Sequence, residues 1–211
     1  MWIISETTYL ICLFMRVKVI PSNLDKLPKN ESYMIATNHL SSFDHICLLS
    51  LFSNVPLVCV SKLANASIPV AGKWLTYAGY LNIIQGSLTQ GKQVMEEASS
   101  LLRSNESSVC IAPEGTRNKT YPNPMLLPFH PGSFSMAKES KKPIAVISLQ
   151  NTQSVLKRYP LHSTKVYIDV LKVLDYDDYK DMSLNEISTF AHDIMLEHLE
   201  NKKARQYHSA K

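Results

Sequence analysis

Seven residues, Asn38-His39-Leu40-Ser41-Ser42-Phe43-Asp44, set a histidine five positions before an aspartate. A carboxylate that accepts a hydrogen bond from one imidazole nitrogen leaves the other nitrogen basic and oriented, the working half of a general-base dyad. Geometry restricts how the two can meet. On a continuous helix each residue turns about 100°, so side chains five apart would diverge by roughly 140°. His39 must therefore precede a helix and Asp44 must lie in its first turn. Ser41 reads as the N-cap, which sets Asp44 at the third helical position, where the helix dipole favours a carboxylate. The spacing alone is weak, since such a pair arises by chance in roughly one chain in four of this length and composition. The bland alternative is a capping Asp44 and an unconnected loop His39.

A second segment, Ala112-Pro113-Glu114-Gly115-Thr116-Arg117, follows the apolar run "VCIA" directly. Loops at the carboxyl ends of strands are where α/β sheets place ligand sites. Gly115 permits close backbone approach, Thr116 offers a hydroxyl, and Arg117 supplies a forked cation suited to phosphate. Lys119 adds charge nearby. An ordinary turn with a surface arginine is the competing reading.

Together the two segments are specific. Asn-His-x4-Asp after a strand, with Pro-Glu-Gly-Thr-Arg some 70 residues later, resembles the glycerolipid acyltransferase family, the 1-acylglycerol-3-phosphate acyltransferases and their relatives. A given pentapeptide occurs by chance in on the order of one in ten thousand such chains. The likeness runs from Arg16 to Val173 and takes in "NLDKLP", Lys62, "IPVAGKWLTYAGYLNII" and "PFHPGSF". It implies that His39 is the general base toward the acceptor hydroxyl and that Asp44 orients it. It implies acceptor binding by Glu114, Gly115, Thr116 and Arg117, with Arg117 on the phosphate, and a strand opened by Pro143 on the acyl-donor side. The implied substrates are a lysophospholipid, chiefly 1-acyl-glycerol 3-phosphate, and an acyl thioester, either acyl-CoA or an acyl carrier protein conjugate. No metal or resident cofactor is implied. Two positions depart from the family pattern. Gln85 stands where an arginine is expected, and a neutral amide cannot replace a bidentate cation. His130-Pro131 precedes Gly132 where a basic residue is more usual. Another lysolipid or an aminolipid as acceptor is therefore the alternative, as is an inactive membrane-binding relative.

The surrounding elements must position these loops. "RVKVI", "YMIAT", "PLVCVSK", "YLNII", "SSVCIA", "PIAVISLQN" and "KVYIDVLKVL" read as strands. Helices are expected after Ser41, over residues 68–80 and 89–104, over Ser133 to Ser140, and from a Ser183/Glu186 capping box to about Asn201. The last should pack Leu184, Ile187, Phe190, Ile194 and Leu199 on the sheet. Tyr121 to Pro131 is a proline-rich loop. This alternation predicts an α/β fold, a single domain with a mixed sheet flanked by helices over residues 17–205, preceded by a short apolar helix over residues 1–16.

Trp2, Ile3, Leu10, Leu13, Phe14 and Val17 fall on one helical stripe. Two readings stand equal: a helix packed on the core, or an in-plane membrane anchor with Arg16 and Lys18 on anionic lipid. The apolar run Tyr9 to Met15 is far shorter than the roughly 20 residues of a spanning helix. Localisation at the cytoplasmic face of a membrane is expected. A net charge of +4 suits an anionic surface or substrate and falls short of a nucleic-acid argument. Cys12, Cys47, Cys59 and Cys110 sit in apolar surroundings without metal-site spacing and read as buried thiols. His45 is either a site residue or structural. A serine hydrolase using Ser41 or Ser42 with His39 is disfavoured, because no Gly-x-Ser-x-Gly elbow occurs.

Overall fold

The computed structural model describes residues 2–52, 56–62, 80–84 and 86–209, with side chains described from Ile3 to Lys202. The expected helix over 68–80, except for Tyr80, and the substitution at Gln85 lie outside the described residues. Strands β1 (Val17–Ser22), β2 (Met34–Thr37), β3 (Leu57–Lys62), β4 (Leu81–Ile83), β5 (Ser108–Ile111), β6 (Ile144–Gln150) and β7 (Thr164–Leu174) form one sheet in the order β1-β7-β6-β2-β5-β3-β4. All pairs are parallel except β6 with β7. The central strands β2, β5 and β6 are buried along their whole length because both sheet faces are covered. Met34, Ala36, Val109, Ile111, Ile144 and Val146 face one core, whereas Tyr33, Ile35, Cys110, Ala145 and Ile147 face the other, at the strand period of two.

Helices α1 (Trp2–Phe14) and α2 (Phe43–Leu49) cover the second face. Helices α3 (Leu88–Arg103), α4 (Ser135–Ser140) and α5 (Leu184–Ser209) cover the first. The α3 helix is capped by the Ser87 hydroxyl, which accepts from Gln90 N, and buries Val94, Met95, Ala98 and Leu102. The α5 capping box forms as the sequence predicts: Ser183 N donates to Glu186 at 2.6 Å and Glu186 N to the Ser183 hydroxyl at 3.2 Å. Its buried stripe is Ile187, Ala191, Met195 and Leu199, at steps of four. Phe190, expected in that stripe, lies on its flank and is 40% exposed.

The apolar stripe of α1 does not face the core. Helix α1 rests on α2 through Ser5, Thr8 and Cys12, while Ile3, Leu10, Leu13 and Phe14 stay largely exposed. All four cysteines are buried and unbridged.

Candidate active site

Strand β2 ends at Thr37, and the chain turns through Asn38 and His39 into α2. The buried Asn38 amide fixes this turn by donating to Leu149 O at 2.9 Å and accepting from Leu149 N at 2.7 Å. Two strand ends are thereby tied together. Helix α2 begins one residue later than the sequence predicts. Its N-cap is Ser42, and the Ser41 hydroxyl instead accepts from Phe43 N at 3.0 Å in the preceding turn. Asp44 thus sits at the second helical position, still within the first turn.

From there Asp44 Oδ2 accepts three hydrogen bonds: from Leu40 N at 2.8 Å, from Ser41 N at 3.0 Å and from the His39 ring at Nδ1, 2.6 Å away. Asp44 is 1% exposed and its other oxygen is buried with no partner among the described residues. A carboxylate only accepts, so the His39 proton belongs on Nδ1 and Nε2 carries the free lone pair. The oxygen that orients His39 thus also ties down the two residues ahead of the helix, and the pair is connected.

The second segment closes on the first. Glu114 is buried, and its two oxygens accept from His39 N at 2.6 Å and Leu127 N at 3.0 Å. Burial pushes this carboxyl up to about 7, only partly opposed by those two hydrogen bonds. Asn118 N donates to His39 O at 2.8 Å, so both backbone polar groups of His39 are held by the Glu114-to-Asn118 turn. Arg117 is exposed and its guanidinium reaches the Ser42 hydroxyl at 3.5 Å, beside the dyad. Thr116 is half-buried in the same turn. Gly115 adopts φ +62°, a conformation that favours glycine, and a Cβ there would stand 2.9 Å from the exposed His130 ring, which would have to move. His130 is anchored by its N–H to Pro113 O at 2.8 Å, which brings it into the site.

His45 lies parallel to His39, ring centroids 6.0 Å apart, and tilts against Tyr80 at 5.7 Å. Burial, and then the neighbouring His39, pull its pKa down to about 4, which leaves it a neutral platform at physiological pH. His45, Cys59 and Cys110 bring one nitrogen and two sulfurs within 4.8 Å of one another, the one group of metal-ligand type among the described residues. Ser41 and Ser42 are turned to Phe43 N and Arg117, not to the His39 ring. Asn118 was not singled out from sequence, and Asn38 and His130 were named there only within the compared segments, without a role in holding the site. Their partners are main-chain groups or a glycine far along the chain, which leave no local pattern.

Comparisons with known proteins bear on the family and the fold. The acyltransferase family model matches residues 18–150. The 1-acyl-sn-glycerol-3-phosphate acyltransferase of Escherichia coli (strain K12) is 27% identical over 170 residues, 78% of this chain and 67% of its own length. The alpha form from Homo sapiens is 32% identical over 131 residues, 60% of this chain and 43% of that protein. The chain thus spans about two thirds of the bacterial relative and under half of the human one. The crystal structure of the 1-acyl-sn-glycerophosphate (LPA) acyltransferase PlsC from Thermotoga maritima superposes with a TM-score of 0.74. It covers 95% of this chain and 78% of that one, and at 18% identity this is a likeness of fold.

Proposed function

Because the chain belongs to the acyltransferase family, we propose that it transfers a fatty acyl group from an acyl thioester to the free hydroxyl of a lysophospholipid, chiefly 1-acyl-glycerol 3-phosphate, in phospholipid synthesis. The observation that carries this reading is the 2.6 Å contact of His39 Nδ1 with Asp44, with Arg117 reaching over the same loop. His39 Nε2 takes the acceptor proton as the hydroxyl oxygen attacks the thioester carbonyl. The tetrahedral adduct collapses with cleavage of the C–S bond, and the proton passes from His39 to the departing sulfur. The buried Asp44 carboxylate compensates the imidazolium in between. A thioester is already activated, so holding both substrates in register supplies much of the acceleration without a covalent acyl-enzyme. Arg117 grips the acceptor phosphate in bidentate fashion.

The reaction takes place at a membrane surface, on the cytoplasmic side, with α1 lying in the interface. The exposed Ile3, Leu10, Leu13 and Phe14 support this placement. Among the described residues no helix is long and apolar enough to cross a membrane. A lysolipid without a phosphomonoester, or an aminolipid, is the second reading of the acceptor, and Gln85 favours it. Initial rates with acyl-CoA and a panel of lysolipids decide between them. Lysophosphatidate should be preferred, and Arg117→Ala should raise its KM by about tenfold or more while altering kcat less. Activity confined to acceptors lacking a phosphomonoester would overturn the lysophosphatidate assignment.

A further inference from the structure

The sheet directions place several chain segments at one edge. Strands β2, β5 and β6 are parallel and end there, which delivers His39, the Glu114 turn and Asn151. Strand β7 runs antiparallel to β6, and β1 runs parallel to β7, so both begin at that edge. Arg16, at the end of α1, and Thr164, at the start of β7, therefore share it with the active site. Between β6 and β7 the chain makes a short helix, Val155–Arg158, and a loop to Ser163. This segment fuses to the end of α1. Thr164 N donates to Arg16 O at 3.0 Å, the Arg16 guanidinium donates to Pro160 O at 3.1 Å, and the Phe14 and Tyr159 rings lie 5.8 Å apart.

Two leucines of this segment point to solvent, Leu156 at 64% and Leu161 at 79% exposure. They extend the bare apolar surface of α1 across the Phe14–Tyr159 contact. Beside it stand Arg16, Lys157 and Arg158, all exposed, with Glu6 as the one acidic side chain in residues 2–18 and 155–165. Large apolar side chains flanked by cations match the acyl boundary and headgroups of an anionic bilayer. A protein partner of ordinary charge balance would leave the cations unanswered.

We propose that the 155–162 segment is a second bilayer contact, with Leu156 and Leu161 entering the interface beside α1 and Lys157 and Arg158 on anionic headgroups. The inference rests on the membrane-surface reading of α1 but not on the chemistry of His39. Two elements fix an orientation where one leaves the molecule free to roll about a helix axis. That orientation turns the sheet edge bearing His39 toward the membrane from which a lysolipid is drawn.

Sucrose-loaded vesicles of phosphatidylcholine and phosphatidylglycerol, and of phosphatidylcholine alone, test this by co-sedimentation of the full chain. Leu156→Glu with Leu161→Glu should weaken binding to the anionic vesicles by roughly tenfold or more. Lys157→Gln with Arg158→Gln should weaken it by roughly fivefold for each charge removed, and only on anionic vesicles. Acyl transfer to detergent-dispersed acceptor, measured on the same variants, should stay at the native level and shows that they are folded. In Leu161→Trp made together with Trp2→Phe and Trp74→Phe, emission should shift to the blue on vesicles and be quenched by brominated acyl chains. Native sedimentation of the double leucine variant, or a tryptophan at 161 indifferent to brominated lipid, would overturn the proposal.

Discussion

The two oxygens of Glu114 each accept one backbone N–H, from His39 and from Leu127, so one buried side chain ties the loop of the base to the proline-rich loop. In Glu114→Gln a donor replaces one acceptor and one of these bonds must fail. Because the side chain is buried and both its oxygens are taken by main-chain N–H groups, kcat should fall about tenfold or more while the acceptor KM stays within about threefold. A rise in KM alone would mean that Glu114 touches the substrate, as the family likeness implies. The same residue leaves a mark on stability. Its folded pKa of about 7 lies above its unfolded value, so the folded state holds the extra proton between about pH 4.5 and 7. The stability tied to that proton is fully present below about pH 4.5 and is lost as pH rises through about 7. Denaturant unfolding should show the native protein losing on the order of 3 kcal/mol more than Glu114→Gln across that window. Equal slopes would contradict the raised pKa. The His39–Asp44 pair was legible in the sequence because strand, turn and helix start lie within eight residues. The role of Glu114 was not, because its partners are main-chain N–H groups 75 and 13 positions away.

Helix α5 is fastened to the sheet by a charge cluster on β7. Asp169 accepts from Lys202 Nζ at 2.6 Å, from the His198 ring at 3.2 Å and from the Ser22 hydroxyl, which joins β1 to the same point. Burial alone would raise its pKa, but the hydrogen bonds of His198, Lys202 and Ser22 outweigh it and hold the carboxyl well below the usual carboxylate range. A depressed folded pKa contributes stability above the unfolded value, and this is lost as pH falls through the folded one. Asp169→Asn should therefore destabilise by about 2 kcal/mol at pH 7, and the gap should narrow below about pH 4. A gap unchanged between pH 7 and pH 3 would contradict the clasp. At this scale local signals read well: the Ser183/Glu186 capping box forms, and all seven expected strands are present. The stripe on α1 was also legible, but not its direction. Periodicity finds an apolar face without saying whether lipid or protein covers it, and here Ser5, Thr8 and Cys12 take the protein side.

Over the whole molecule, parallel strands β2, β5 and β6 carry the base, the Glu114-to-Arg117 turn and the Asn38 anchor to one edge of a single sheet. The sequence implied a mixed sheet but not its order. The pairing of β1 with β7 joins residues some 147 positions apart, and no local pattern records it. That order sets the candidate active site, the end of α1 and the 155–162 segment at one sheet edge, so the proposed chemistry and the proposed membrane contact share one topology. Every step of the proposed reaction passes through one atom, His39 Nε2. The most direct measurement is acyl transfer from acyl-CoA to lysophosphatidate by His39→Ala, with thermal unfolding followed in parallel. General-base catalysis by His39 predicts a loss of about 10²- to 10⁴-fold in kcat with an unfolding temperature close to native. Transfer at the native rate would contradict it.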